Sequence, residues 1–584
     1  MLKHTVRSTT SILLVSASLG AFAGPHPDVL PPAPAWQGKS ERLALAPADP
    51  LATPLERSGF LTSPSYADTL AYLRVLDAAS DRLSLHTFGK SFQGRDLVYV
   101  LARKPGANKP VVVVQGGIHA GEIDGKDAGL MLLRDIAQRG RDDLLDGVDL
   151  VFIPVLNVDA HEHTSPLGRP NQRGPQVGGS RTSARGLDLN RDYARLESPE
   201  VAAVVKLLQQ YDPALYVDVH VSDGADYQYD VTYTFAGWGT YARSRATAGW
   251  LMERYHQDVD AALGAAGHVP AIYPSWIDQN APWKGLRISA EGPRYSTGYG
   301  DFVGIPTVLV ENHTLKPYKR RVLGTYVLLE QSLATVARDH DRIAAAKRAD
   351  RAARPARLMV AWEREPNPLA TVDFKGVRYD NYASPASGAN ELRWTGTPET
   401  MRLPVYGIRS TLDVPLPRAW WIAAEHQDLI ARLRAHGIRM ETLAAPRTLL
   451  LEVTQAASGK ARRDLRQVAK QVTLPAGSVR IPAEQPFHLL AAALLEAKSD
   501  DSFLANGLFD NALPFESTLP RHLLAPLADR MMEADPALRA QFEQALATDA
   551  ALAADPEARL RWWHERSPYA DRARWTYPVF SERR

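Results

Sequence analysis

The sequence contains no cysteine. That excludes disulfide frameworks, thiolate zinc fingers, iron–sulfur clusters on their usual ligands and a cysteine nucleophile. A transition metal in this chain must be held by histidine and carboxylate. Charge imbalance is also missing, with 68 Lys and Arg against 66 Asp and Glu in 584 residues. Such a chain has no global pull toward nucleic acid, and no nucleic-acid partner is expected. Long apolar runs are absent as well: beyond residue 19 nothing reaches the roughly 18 residues a membrane span needs. The one early run, Ser11 to Leu19, is too short to span. It follows Lys3 and Arg7 and precedes Ala21-Phe22-Ala23, the arrangement of a cleaved secretory signal over residues 1–23. The expectation is an exported protein, periplasmic or secreted, with no span left after signal removal. Lack of cysteine then means only that its stability does not depend on disulfides.

What is present is ordinary globular composition, 45% hydrophobic and 23% charged. The length suits two to four domains. Residues 24–57 are rich in Pro and Ala and read as a loose lead-in. Helical periodicity begins with Tyr66, Leu70, Leu73 and Leu76. Strands are expected at Leu97–Ala102, Pro110–Gln115, Asp149–Val155, Tyr216–Val221 and Thr307–Val310. Helices are expected at Gly129–Ala137 and after Ser198-Pro199, where Ser caps and Pro is tolerated. Apolar runs such as Val111 to Val114 suit a sheet covered on both faces. The alternation implies an α/β domain over 58–346 with a mixed, mostly parallel sheet flanked by helices. The basic, Pro-containing stretch 347–357 reads as a linker. Residues 358–584 read as a C-terminal α+β accessory region, with helices at Asp428–Ala435, Pro486–Glu496 and across 520–565. Its pairs Trp420-Trp421 and Trp562-Trp563 suit core packing, and Asp500-Asp501 suits a solvated turn. His161 and His163 read as incidental loop histidines.

Four segments carry chemistry. His119 and Glu122 are three apart in a Gly-rich turn after a strand, so both could face one cation. His220 ends the apolar strand Leu215 to His220. Together these three form a His₂Glu set that suits zinc and leaves a position for water. In Asp188-Leu-Asn190-Arg191, the arginine offers a planar fork matched to a carboxylate. Glu311 ends another apolar strand, where a bare carboxylate must be paired, liganded or catalytic. Beside a zinc-bound water it would serve as general base.

These segments, with Gly89-Lys-Ser-Phe-Gln-Gly-Arg95 and Asn157-Val-Asp159, resemble the zinc metallocarboxypeptidases of the carboxypeptidase A superfamily. The resemblance spans about residues 60–330 and is to an exported bacterial-type branch with a long C-terminal extension. It implies a zinc carboxypeptidase-like fold and one Zn²⁺ on His119, Glu122 and His220, with Asp188 behind His119. It implies Asn190 and Arg191 on the substrate's terminal carboxylate, and Glu311 as general base. Arg181 would stabilise the oxyanion, with Arg173 the rival for that role. Tyr295 and Tyr299 both fit the family's catalytic tyrosine. Gly121 stands where digestive members carry an arginine, which leaves the outer subsite open. The implied function is zinc-dependent hydrolysis of the C-terminal peptide bond of peptides or proteins. Alternatives are a zinc amidohydrolase acting on cell-wall peptides or acyl-amino acids, and a non-catalytic exported binding protein. Side-chain preference and oligomeric state are not legible.

Overall fold

A computed structural model describes residues 30–106, 108–456, 465–509, 519–570 and 575–583. The expected signal at 1–23 lies outside the described residues. No helix among them is long and apolar enough to cross a membrane.

The central sheet is built from β1 (Leu83–Lys90), β2 (Asp96–Ala102), β3 (Val111–Gly116), β4 (Asp149–Ile153), β5 (Leu215–Val221), β6 (Val231–Thr234), β7 (Pro270–Ile272) and β9 (Thr307–Asn312). The short β8 (Leu286–Arg287) stands outside it. The sheet order is β1-β2-β4-β3-β5-β9-β6-β7. Its middle four strands, β4, β3, β5 and β9, are parallel to one another. The pairs β1–β2, β2–β4 and β6–β9 are antiparallel, so the sheet is mixed.

Alternate residues of one strand go to opposite cores, as the two-residue period demands. Val112 and Val114 join the core made with helices Asp124–Gln138 and Tyr318–Ala352. Val113 joins a second core on the other face, with Val201, Val204 and Leu208 of helix Pro199–Tyr211. Burial on both faces is why these strands read as unbroken apolar runs.

The second core does not stop at that helix. It continues through Trp420, Ile422, Leu429, Leu433 and Leu490, so the C-terminal half shares one apolar interior with the sheet. This half contains β10 (Arg357–Arg364), β11 (Ala370–Ala383), β12 (Asn390–Tyr406) and β13 (Ile408–Pro415). It also holds a six-stranded antiparallel sheet and the helices between Arg521 and His564. β12 pairs in parallel with β8 of the first half.

Several expectations need correction. The stretch 347–357 is not a linker, because a 35-residue helix runs through Ala352 and β10 begins at Arg357. Its basic residues are engaged: Lys347 Nζ donates to the carbonyls of Asp212 and Pro213, and Arg351 pairs with Asp212. The described part of the lead-in is not loose. Glu56 is buried in a capping box with Thr53 and pairs with buried Arg134 at 2.9 Å. Asp501 does not sit in a solvated turn but is buried against Arg294.

Candidate metal centre and cleft

The site sits where ligands collect in open α/β sheets, beyond the carboxyl ends of parallel strands at the point where strand order reverses. Here that point lies between β3 and β5, whose neighbours β4 and β9 extend the sheet in opposite directions. After β3 the chain turns through Gly117 at φ +61°, a conformation glycine adopts freely. That turn delivers His119 and Glu122 before helix Asp124–Gln138 begins. β5 delivers His220, and in the β5–β9 register His220 lies opposite Glu311.

His119, Glu122 and His220 are all buried, and their ligand atoms lie within 4.8 Å of one another. The two Nδ1 atoms are 3.2 Å apart, and His220 Nδ1 is 2.9 Å from Glu122 Oε2. Ligands at about 2.0–2.1 Å from a tetrahedral zinc are separated by about 3.3 Å, so the three atoms are spaced for such an ion. Each remote ring nitrogen meets a carboxylate: His119 Nε2 lies 3.0 Å from Asp188 Oδ1 and His220 Nε2 lies 2.9 Å from Asp218 Oδ2. Those partners fix the tautomer that leaves both Nδ1 lone pairs facing the centre. Burial works against protonating either ring. Glu122 with Asp188 at His119, and Asp218 with Glu122 at His220, nonetheless raise both, His220 most. Burial likewise opposes ionisation of Glu122, but His119 and Arg169 hold its carboxyl well below the usual range. The pocket therefore favours positive charge at its centre, and a divalent ion meets that demand.

A cleft of about 570 Å³ opens over these ligands. Its walls include Glu311, Asn190, Arg191, Arg181 and Tyr295. Glu311 Oε2 is covered and has no hydrogen-bond partner among the described residues. Burial, reinforced by the charge of Glu122 and offset by His220, pushes its carboxyl up to about 7. Asn190 Oδ1 accepts from the Ser296 N–H at 3.0 Å. The Arg191 guanidinium lies 4.5 Å over the Tyr295 ring, a cation–π contact that orients the fork. Arg181 bonds Asp188 at 3.0 Å and comes within 3.7 Å of Glu122.

Two expected residues lie elsewhere. Arg173 does not line the cleft; its guanidinium is tied to the carbonyls of Leu315 and Pro31. Tyr299 is buried in the second core, and its hydroxyl faces His436 Nδ1 at 3.4 Å. Neither can turn toward the ligands without leaving those partners.

Three roles escaped the sequence reading. Asp218 is the buried partner of His220. Arg169 packs over Gly121, where a Cβ would fall 2.5 Å from Arg169 Cγ, and its guanidinium reaches Glu122 Oε1 at 2.9 Å. Tyr273 follows β7 and lines the cleft. Burial and then the negative charge of Glu311 push its phenol well above the ordinary value, so it remains a hydrogen-bond donor. The alternation of Asp218 with His220 was the available signal for the first. Nothing in the sequence pattern marked the other two.

Residues 69–263 match the family model described as zinc carboxypeptidase, which includes the three ligands but stops before Tyr273 and Glu311. Carboxypeptidase B of Astacus astacus is 27% identical over 113 residues, 19% of this chain and 37% of that protein. Carboxypeptidase B of Bos taurus is 31% identical over 127 residues, 20% of this chain and 30% of that protein. The chain thus spans about a third of the length of these relatives. A metallo-carboxypeptidase from Pseudomonas aeruginosa superposes with a TM-score of 0.36 at 21% identity, covering 48% of this chain and 70% of that one.

Proposed function

We propose, from the match of residues 69–263 to the zinc carboxypeptidase family model, that the protein is a metallocarboxypeptidase. It removes the C-terminal residue of peptides or proteins, with one Zn²⁺ held by His119, Glu122 and His220. The observation that carries this reading is that one cleft presents the three ligand side chains, Glu311 and Arg191 together.

Zinc bound there supplies Lewis acidity and lowers the pKa of coordinated water. The protein's residues do the rest. Arg191 and Asn190 bind the terminal carboxylate; among the described residues no carboxylate lies within ion-pair distance of Arg191, whose Nη1 donates to the Asn190 carbonyl at 2.8 Å. An internal peptide bond has no carboxylate to offer the planar, bidentate Arg191 fork, whereas a free C-terminus does. Glu311 takes a proton from the attacking water and passes it to the departing amine. Its raised carboxyl suits this role, since proton shuttling is most effective near the working pH. Arg181, and Tyr273 as a neutral donor, face the oxygen on which charge develops. The basic-then-apolar start at Lys3 to Leu19 supports export, so the substrate is met outside the cytoplasm.

The test compares a peptide with its C-terminal amide, using the zinc-loaded protein. The free acid should lose one terminal residue at a time, and the amide should be a poor substrate. Glu311→Gln should lower turnover by about a hundredfold or more while leaving zinc content unchanged. Equal cleavage of acid and amide, or full activity of the Gln variant, would refute the respective assignment.

A further inference from the structure

One wall of the cleft comes from far along the chain. Trp362, Asp500 and Asp501 line it together with the metal-site residues. Asp501 is buried, and its Oδ1 accepts from Arg294 Nε at 2.6 Å. The Asp500 carbonyl accepts from the same guanidinium, also at 2.6 Å. The approach is tight: a Cβ on Gly292 would stand 1.9 Å from Asp501 Oδ2. Only glycine lets that carboxylate sit where it does.

The segment from Ser289 to Tyr295 is held to the C-terminal half at other points too. Trp362 Nε1 donates to Ser289 Oγ at 3.0 Å. Arg243, a largely covered cation stacked 4.2 Å over Phe302, donates to the carbonyls of Glu291 at 2.9 Å and Met359 at 3.3 Å. Tyr295 ends this clamped segment, directly after Arg294, and carries the Arg191 guanidinium on its ring. The next residue, Ser296, donates its N–H to Asn190. A continuous set of contacts therefore runs from Asp501 through Arg294 and Tyr295 to Arg191.

We propose that Asp501 is a positioning residue: through Arg294 it fixes Tyr295, and thereby the Arg191 fork that recognises the substrate's terminal carboxylate. The C-terminal half is then a working part of the cleft. The inference rests on the reading of Arg191 as the carboxylate binder. Loss of the Asp501 charge frees Arg294 from its only acidic holder among the described residues with a direct bond to it. The chain at Arg294–Tyr295 then loses one anchor, and ground-state binding suffers more than chemistry, because neither Asp501 nor Arg294 bonds to His119, Glu122, His220 or Glu311.

The experiment uses the full-length zinc-loaded protein with Asp501→Asn and, separately, Arg294→Lys, each assayed on a peptide and its C-terminal amide. Asp501→Asn should raise KM for the free acid by about fivefold, the scale of coupling within one hydrogen-bonded network. Its kcat should change less than KM, and its preference for acid over amide should shrink by the same factor. Arg294→Lys keeps a cation that can reach one acceptor at a time, and should fall between wild type and Asp501→Asn. A folded Asp501→Asn protein with unchanged KM and unchanged acid-to-amide preference overturns the proposal. If that variant does not fold, the same two results in Arg294→Lys overturn it. A loss shared equally by acid and amide marks a merely structural role and also overturns it. A wild-type enzyme that ignores amidation instead removes Arg191 from carboxylate binding, and this inference with it.

Discussion

Replacing Asp218 by Asn isolates the least visible member of the metal site. Asp218 is fully buried. Its Oδ2 holds His220 Nε2 at 2.9 Å, and its Oδ1 accepts from Gln115 Nε2 at 2.9 Å. Asn keeps the shape but removes the charge that makes the imidazole a stronger donor to a metal. Losing such a partner lowers metal affinity by about 10–100-fold, or about 1.4–2.7 kcal/mol at 1.36 kcal/mol per decade. Among the described residues no lysine or arginine bonds to Asp218, so the upper half of that range is expected. Asp188 is the internal control. It is 23% exposed at its side chain and shares Oδ2 with Arg181 at 3.0 Å. Asp188→Asn should therefore sit at the lower end of the range. Zinc competition against a chromophoric chelator at neutral pH measures both. An Asp218→Asn protein that binds zinc as tightly as wild type, or less impaired than Asp188→Asn, would show that burial does not rank these two partners.

Other predictions address the fold and the cleft. His436 is fully buried with Nε2 3.2 Å from the Ala194 carbonyl, and burial pushes it down to about 4. The unfolded ring protonates from 6.5 downward while the folded one waits until about 4. Its stabilising contribution is thus complete above pH 6.5 and is lost as pH falls toward 4, by about 1.4 kcal/mol per pH unit. Denaturant titrations should show His436→Gln with a flatter dependence in that window; parallel curves would contradict it. Tyr273→Phe should lower kcat/KM by about tenfold, the scale of one hydrogen bond to a charged group, with zinc content intact. Undiminished kcat/KM would remove Tyr273 from the reaction.

The sequence exposed those parts of the site that end long apolar strands. His220 follows five fully buried residues, and Glu311 ends the apolar run Val308 to Val310, so a polar side chain at each point stands out. The turn after β3 was legible for the same reason. Tyr273 was hidden because β7 has only three residues and no apolar run to mark its end. The choice between Arg173 and Arg181 lay in a largely irregular stretch, where no period says which way a side chain points. Arg169 was hidden there too. The Asp501–Arg294 pair joins positions 207 apart, and neither residue is unusual in its own neighbourhood. The basic residues near Lys347 looked like a linker because charge suggests solvent, yet Lys347 is buried and ends on the backbone of Asp212 and Pro213.

That last contact belongs to a helix that works as a ruler. Tyr318–Ala352 has 35 residues, about 52 Å at 1.5 Å per residue. Near its start, buried Arg321 grips Asp124 at 2.9 Å, and Thr325 bonds Asn312, the residue after Glu311. Near its end, Lys347 and Arg351 hold Asp212, three residues before the strand that carries His220. One rigid rod therefore fastens the outlet of the strand bearing Glu311 and the inlet of the strand bearing His220. The offset between Glu311 and His220 is gauged across the whole depth of the sheet, and a change of helix length at either end would be felt as misalignment at the other.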